Sequence, residues 1–302
     1  MGEETFLQKL NRQKISYLFI IVPLALFIVF QLAPVFISFL WSFTKYDVLS
    51  SPRFVGLENY RNILFNDPLF WKAMKNTVFY VLGVVPAGVC LSLLLAVAID
   101  QKIRFKNFFK SIFFLPTVTA IVAVSVIWKW LYAGEKYGLL NYWIMKLGFQ
   151  PVDWLASPEW TLPSIMIMSI WAGLGYNMIL FLAGLQTIPS AMYEAADIDG
   201  AGFWDKFFNI TLPLLKPTIV FVTMMSFIFS FQVFEQVYIM TGGQEGIGGV
   251  LNSALTIVAY LYDKGFQKFQ MGYASALAYL IFSCIFVLTM VNKRLMKTEV
   301  RY

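Results

Sequence analysis

The chain has 302 residues, of which 59% are hydrophobic and 13% charged, with a formal net charge of +6 and a mean hydropathy of +0.68. A soluble domain carries about 25% charged residues, so this chain has too little charge to cover a soluble surface and reads as an all-α, polytopic membrane protein. It contains no histidine, and its two cysteines, Cys90 and Cys284, lie far apart in different apolar runs; this excludes Ser-His-Asp and Cys-His catalysis and His-ligated metal, and suggests neither a disulfide framework nor a metal clip.

The first segment, MGEETFLQKLNRQK (1–14), is polar and precedes an apolar run too long for a signal-peptide core. It is expected to be a cytosolic tail before a retained first span. Residues 15–302 are expected to form one transmembrane domain. Six segments reach the ~20 apolar residues a span requires: 15–41, 76–99, 111–131, 161–185, 217–240 and 271–291. Each is predicted to be a helix, because lipid offers no partner to an unpaired backbone group. Pro23 and Pro34 are expected to kink the first span; Pro86, Pro116 and Pro217 either kink theirs or mark ends.

Basic residues cluster at the edges of these runs, which fits membrane topology better than nucleic-acid binding. Lys9, Arg12 and Lys14, then Lys102, Arg104, Lys106 and Lys110, then Lys293, Arg294, Lys297 and Arg301 fall on one side of a six-span chain. Basic density in short segments marks the cytosol, so both termini are expected there. The longer loops at 45–75, 133–160 and 241–270 are expected to face outward.

The loop between the fourth and fifth spans (187–216) breaks the basic bias. It carries Glu194, Asp197, Asp199 and Asp205 in the stretch EAADIDGAGFWDKFFNITLPLLKP. Its pattern predicts two short helices, the first capped by Ser190 and ended by Gly200 and Gly202. Met192, Ala195, Ala196 and Ile198 offer a small apolar surface, Phe203, Phe207 and Phe208 an aromatic one, and Pro213 closes the second helix. An interfacial helix lying on lipid headgroups is one reading; four acids against an anionic leaflet favour a basic protein partner instead.

These residues also carry a resemblance. Glu194-Ala195-Ala196, then Gly200, then Ile210-x-Leu212-Pro213 resembles the "EAA" signature of ABC-importer permeases, with the intervening residues closest to the carbohydrate branch. FVGLENYRNIL (54–64), FFLPTVTAIVAVSVIW (113–128), TGGQEGIGG (241–249) and GYASALAYLIF (272–282) resemble further segments of the larger maltose-permease type, so the resemblance spans nearly the whole chain. Two departures stand out: Gln244 and Glu245 occupy positions where the family usually has proline, and the chain lacks room for the large extra periplasmic domain of the maltose subunit. The resemblance implies an ABC type I importer permease that works with a second permease subunit, an extracytoplasmic sugar-binding protein and two cytosolic ATPases that carry the ATP and magnesium. No G-x-x-x-x-G-K-[ST] occurs here, so ATP hydrolysis is expected elsewhere. The acidic loop would be the coupling helix, with Tyr193, Glu194, Ala195, Ala196, Ile198, Gly200, Phe203, Phe207, Ile210, Leu212 and Pro213 meeting an ATPase.

A sugar site wants flat aromatics and a few fixed hydrogen-bonding groups. Matching the maltose-type stretches implies Gly173 and Tyr176 in WAGLGYNM, and Ser226, Phe229, Ser230 and Val233 in SFIFSFQVFEQ, with Asn177 beside them and Thr117 as a further match. Where the maltose pattern has asparagines, this chain has Ser230 and Val233, which implies a different sugar or a different placement. Each residue also has a plain packing reading: Tyr176 and Phe229 between helices, Asn177 and Gln232 as interhelical glue, Glu235 in outer water. The competing classes are an ion-coupled transporter of a small polar solute, for which Glu235 is the clear buried-acid candidate, and an ABC permease for glycerol phosphate.

Overall fold

The computed structural model describes residues 14–101, 104–134, 137–242 and 246–295. The tail 1–13, Lys102, the Gln244–Glu245 departure and the basic residues beyond 295 lie outside the described residues, as does the side chain of Lys293. The chain falls into two compact units: residues 1–66 with 264–280, and residues 67–263 with 281–302.

In the first unit, α1 (Lys14–Phe27) and α2 (Ala33–Ser42) are joined through a wider π-type turn at Ile28–Leu32. Pro34 sits in the first turn of α2, where its missing N–H costs nothing. Pro23 is accommodated inside α1. A short hairpin of β1 (Thr44–Lys45) and β2 (Arg53–Phe54) follows, then α3 (Glu58–Arg61). Asn59, buried, fastens this outer segment by donating its amide to the carbonyls of Ser42 and Thr44, both at 2.9 Å. Gly272, in the first turn of α15 (Met271–Leu295), comes so close to this strand that an added Cβ would lie 2.0 Å from the Thr44 carbonyl oxygen. The Tyr279 hydroxyl donates to the Val35 carbonyl at 2.5 Å.

The second unit is built on α4 (Pro68–Asp100), which packs along α8 (Thr161–Leu185). Asp67 caps α4 by accepting from the N–H groups of Leu69 and Phe70. Pro86 neither ends nor divides this 33-residue helix. Between α4 and α8 come α5 (Lys106–Val118), α6 (Ile121–Leu131) and the short outer helix α7 (Leu139–Lys146). The expected span at 111–131 is not one continuous helix: α5 and α6 meet at 98° across Thr119 and Ala120. Pro116 lies inside α5, which runs on to Val118, and Thr119 Oγ1 closes the last turn on the Leu115 carbonyl at 3.0 Å.

After α8 the chain forms α9 (Ser190–Ile198), α10 (Phe203–Lys206), a π-type turn at Phe207–Thr211 and α11 (Leu212–Leu214). Next come α12 (Lys216–Phe231) and α13 (Glu235–Met240). The expected span at 217–240 is likewise not one continuous helix: it stops at Phe231 and restarts at Glu235. The carbonyl freed at Val233 accepts from the buried Thr256 hydroxyl at 3.0 Å. A single-turn 3-10 segment (Val250–Asn252), α14 (Ile257–Tyr262) and a π-type turn (Asp263–Gln267) lead to α15. Among the described residues, four helices are long and apolar enough to cross a membrane, and two sharply bent helix pairs bring the number to six.

Helical glycines in the second unit divide into two kinds. A Cβ on Gly175 would lie 2.1 Å from the Phe113 carbonyl oxygen, and one on Gly184 would lie 2.6 Å from Thr218 Oγ1. These glycines let α5 and α12 approach α8, as small residues do in membrane bundles. A Cβ on Gly173 meets nothing within 4 Å. Gly175→Ala is therefore expected to destabilise the detergent-solubilised protein by about 1–3 kcal/mol of overpacking, whereas Gly173→Ala is expected to leave the thermal midpoint unchanged or slightly raised. Equal midpoints for the two variants would contradict this division.

Candidate functional site

The interior face where α4, α8 and α12 come together holds a cavity of about 170 Å³. Seven of the eight candidate residues line it: Gly173, Tyr176 and Asn177 from α8, Ser226, Phe229 and Ser230 from α12, and Val233 from the break after it. On α12 the spacing Ser226–Phe229–Ser230 places all three on one face, since residues three and four apart are neighbours. Val233 and Gln236 continue that repeat across the break at Gln232–Phe234 and also line the cavity.

Thr117 is the exception. It donates from Oγ1 to the Ala172 carbonyl at 3.4 Å, one residue from Gly173, and does not line the cavity. Its hydroxyl tethers α5 to α8 at the edge of the site.

Tyr176 is 40% exposed and Phe229 59% exposed, while Ser230 and Val233 are buried. The two rings thus stand at the open side and the small groups at the back. Asn177 Nδ2 reaches Ser226 Oγ at 3.4 Å, a long bond that spans α8 and α12 and leaves most of the amide's hydrogen-bonding capacity free. Glu235 is exposed and stands outside the lining, as does Gln232. The lining contains no carboxylate, ammonium or guanidinium group. What it offers is aromatic rings, hydroxyls and amides among aliphatic side chains, a set suited to a neutral, hydroxyl-rich solute and poorly suited to holding a bare ion or a phosphate.

Sequence reasoning missed the contribution of α4. Tyr80, Val84 and Gly88 line the cavity together with Ser169 and Ile170 of α8. The signal was present, because positions 80, 84 and 88 follow the helical repeat, but nothing in the local pattern tells which face of an apolar span looks inward.

The acidic loop forms a second candidate site at the end of the same helices. Gly200 has φ +77°, as its turn requires, whereas Gly202 has φ −73° and opens α10 instead of closing α9. Ser190 does not cap α9: the cap position is Pro189, and no side chain accepts there. The loop is held by other bonds. Tyr193 and Thr211 share a hydroxyl–hydroxyl hydrogen bond at 2.9 Å, Asp197 pairs with Lys206, and the Asp205 carboxylate accepts from the Gly202 N–H at 3.0 Å. Phe207 is buried, and Ile210, Leu212 and Ala196 are half-buried, so these residues seat the loop on the bundle. Glu194, Ala195, Gly200, Phe203 and Pro213 are exposed, and Ile198 is 88% exposed. Trp204, which sequence reasoning passed over, is 61% exposed and stacks on Phe208 with ring centroids 5.9 Å apart. A protein that leaves an isoleucine and an aromatic stack bare beside an acid with no ion pair among the described residues presents a docking face.

The broken helices thus border a cavity of hydroxyls and amides among aromatic and aliphatic side chains, and the acidic loop is fastened at one end of the same helices. Residues 88–298 match the family described as the binding-protein-dependent transport system inner membrane component. The chain belongs to that family. The permease is 35% identical over 286 residues to the arabinooligosaccharides transport system permease protein AraP of Bacillus subtilis (strain 168), covering 94% of this chain and 89% of the relative. It is 37% identical over 279 residues to the lactose transport system permease protein LacF of Rhizobium radiobacter, covering 91% of each. Its fold matches a chain from a crystal structure of a bacterial ABC transporter involved in the import of the acidic polysaccharide alginate, with a TM-score of 0.86 and 24% identity over 99% of this chain and 100% of that one. It is a multi-pass membrane component of an ABC importer, and not itself an ATP-hydrolysing enzyme.

Tyr176→Ala and Phe229→Ala are each expected to reduce solute uptake roughly five- to tenfold, the range that loss of one aromatic contact supports, while the complex still assembles. Uptake rates in proteoliposomes check this. Wild-type uptake in both variants would remove the cavity as a solute site.

Proposed function

We propose that this permease conducts a sugar or oligosaccharide inward through the cavity lined by Tyr176, Asn177, Ser226, Phe229 and Ser230, as one half of a heteromeric ABC importer. The observation that carries the proposal is the composition of that lining: three aromatic residues, hydroxyls, amides and aliphatic side chains, and no charged side chain. Sugars bind by stacking their apolar faces on rings while their hydroxyls find fixed partners. The relatives AraP and LacF are named for arabinooligosaccharides and lactose, which supports the carbohydrate class without choosing the sugar. An uncharged lining also speaks against the glycerol phosphate and ion-coupled readings, which call for cationic or buried acidic groups.

The open side of the cavity, where Tyr176 and Phe229 stand, is where a second permease subunit would complete the wall. The loop 187–216 would dock in a cleft of one cytosolic ATPase, and the sister permease would engage the other; ATP and magnesium would bind in those ATPases. Glu194 would meet a basic residue there, and Ile198, Phe203 and Trp204 would supply apolar contact. With that loop cytosolic, both termini are cytosolic too, and the segment around Asn59 and the turn after Thr241 face the extracytoplasmic sugar-binding protein. The Thr241 hydroxyl accepts from the Gly248 N–H at 3.1 Å.

Glu194→Lys tests the docking half of this reading. A charge-assisted contact contributes about 1.5–3 kcal/mol, and reversing the charge adds repulsion. The variant is expected to insert normally, to recover at least about tenfold less ATPase subunit on co-purification, since 1.4 kcal/mol is tenfold, and to lose uptake. Undiminished ATPase recovery together with normal uptake would remove the coupling assignment. Gly200→Val is expected to act in the same direction, because a β-branched residue resists φ of +77°.

A further inference from the structure

We propose that α4 supplies a second wall of the solute pathway, in which Gly88 sets the width and the hydroxyls of Tyr80 and Ser169 hold a hydroxyl of the passing sugar. The inference rests on the reading of the cavity as the sugar path and extends it to residues outside the stretches that suggested that path.

Three observations carry it. The first is the pair of glycines. Gly88 on α4 and Gly173 on α8 both line the cavity, and an added Cβ on either meets nothing within 4 Å. Glycine is a poor residue for a helix interior, and its usual excuses are a positive φ or a close neighbour. Gly83, Gly175 and Gly184 have the close neighbours: Met166, Phe113 and Thr218. Gly88 and Gly173 have neither excuse. What their missing side chains leave is room, on two helices that face the same space.

Register is the second. Tyr80, Val84 and Gly88 are spaced by four residues, so they form one stripe down α4. Ser169, Gly173 and Tyr176 form a matching stripe on α8, three or four residues apart. Each stripe runs for about 11–12 Å at 1.5 Å per residue, long enough for a solute to slide along and not merely to sit at one point.

Unspent polarity is the third. Tyr80 is only 2% exposed yet lines the cavity, and its side chain faces the Ser169 hydroxyl. The Ser169 oxygen is buried and makes no hydrogen bond of normal geometry. A helical serine in an apolar setting ordinarily turns back to the carbonyl four residues earlier, as Ser125 does with Ile121 and Thr77 with Ala73. Ser169 forgoes that bond and sits at the cavity wall. The Ser169 hydroxyl thus has the Tyr80 side chain beside it in place of a helical carbonyl, and a sugar hydroxyl in transit would complete the hydrogen bonding of this pair, which burial makes costly to leave short.

The test uses the full complex of this chain with its sister permease and ATPases in lipid nanodiscs. Gly88→Cys and Val81→Cys are each placed in a Cys90→Ala, Cys284→Ala background. Val81 lies on the same helix but is 1% exposed and outside the lining. Modification by a small hydrophilic methanethiosulfonate reagent is read on this chain by mass spectrometry, with and without ATP. Gly88→Cys is expected to react at least tenfold faster than Val81→Cys in one of the two states; equal rates in both overturn the proposal. In parallel, proteoliposome uptake is measured for Gly88→Val, Tyr80→Phe with Ser169→Ala, and Tyr176→Ala. The solute is the radiolabelled sugar that the cognate binding protein retains from a panel. Gly88→Val is expected to cut uptake at least tenfold, Gly88→Ala less, and the double hydroxyl variant three- to tenfold. Normal uptake in Gly88→Val and the double variant, with uptake lost in Tyr176→Ala, removes the α4 wall and leaves the sugar path standing. Normal uptake in all of them removes both.

Discussion

A backbone carbonyl freed inside a membrane must find a partner in the protein, because lipid offers none. That constraint organises the second unit. The helix that begins at Lys216 ends at Phe231, and the carbonyl of Val233 is taken up by the buried hydroxyl of Thr256. With that carbonyl satisfied, the chain can turn at Gln232–Phe234 and restart at Glu235. Thr256 in turn is held near α4, where the N–H of Ile257 donates to the buried Thr77 hydroxyl at 2.9 Å. Asn76 fixes the same outer segment by donating to the carbonyls of Asn252 and Leu255, both at 3.0 Å. Val233 and Gln236 keep the three-residue step of the α12 repeat across the break, and both line the cavity.

The same economy appears in the choice of small residues. Glycine on α8 serves two ends within three residues: Gly175 admits the backbone of α5, and Gly173 keeps space open. The first supports packing and the second the cavity, and they are indistinguishable by residue type. At the loop end, buried Phe207 and the Tyr193–Thr211 bond anchor α9 and α10 to the bundle, so a push on the exposed face at Ile198 would be delivered to the helices and not lost in a floppy segment. The exposed aromatic stack of Trp204 and Phe208 lies on that same segment.

Much of this was legible in the sequence, and the reasons differ by element. The acidic loop stood out because Glu194, Asp197, Asp199 and Asp205 oppose the basic rule that governs short cytosolic loops, and the Gly200 turn followed from glycine's freedom at positive φ. Seven cavity residues were reachable because their spacing matches a helical face and their motifs resemble a known family. The 98° bend between α5 and α6 was not legible, since hydropathy over 111–131 is continuous across Thr119 and Ala120. The Ser190 cap failed because Pro189 in extended backbone occupies the cap position itself. The contribution of Tyr80 and Gly88 was hidden because an apolar helix in lipid has no amphipathic stripe to show which face is inside.

The central claim is that this chain conducts a sugar when ATP is hydrolysed on partner subunits. Its most direct test is uptake into proteoliposomes that hold the complete complex, with the loaded binding protein on the outer side, ATP enclosed, and ion gradients collapsed by ionophores. The account predicts sugar accumulation that requires ATP and the binding protein and is insensitive to the ionophores. Accumulation that persists without ATP and collapses with the proton or sodium gradient would contradict it.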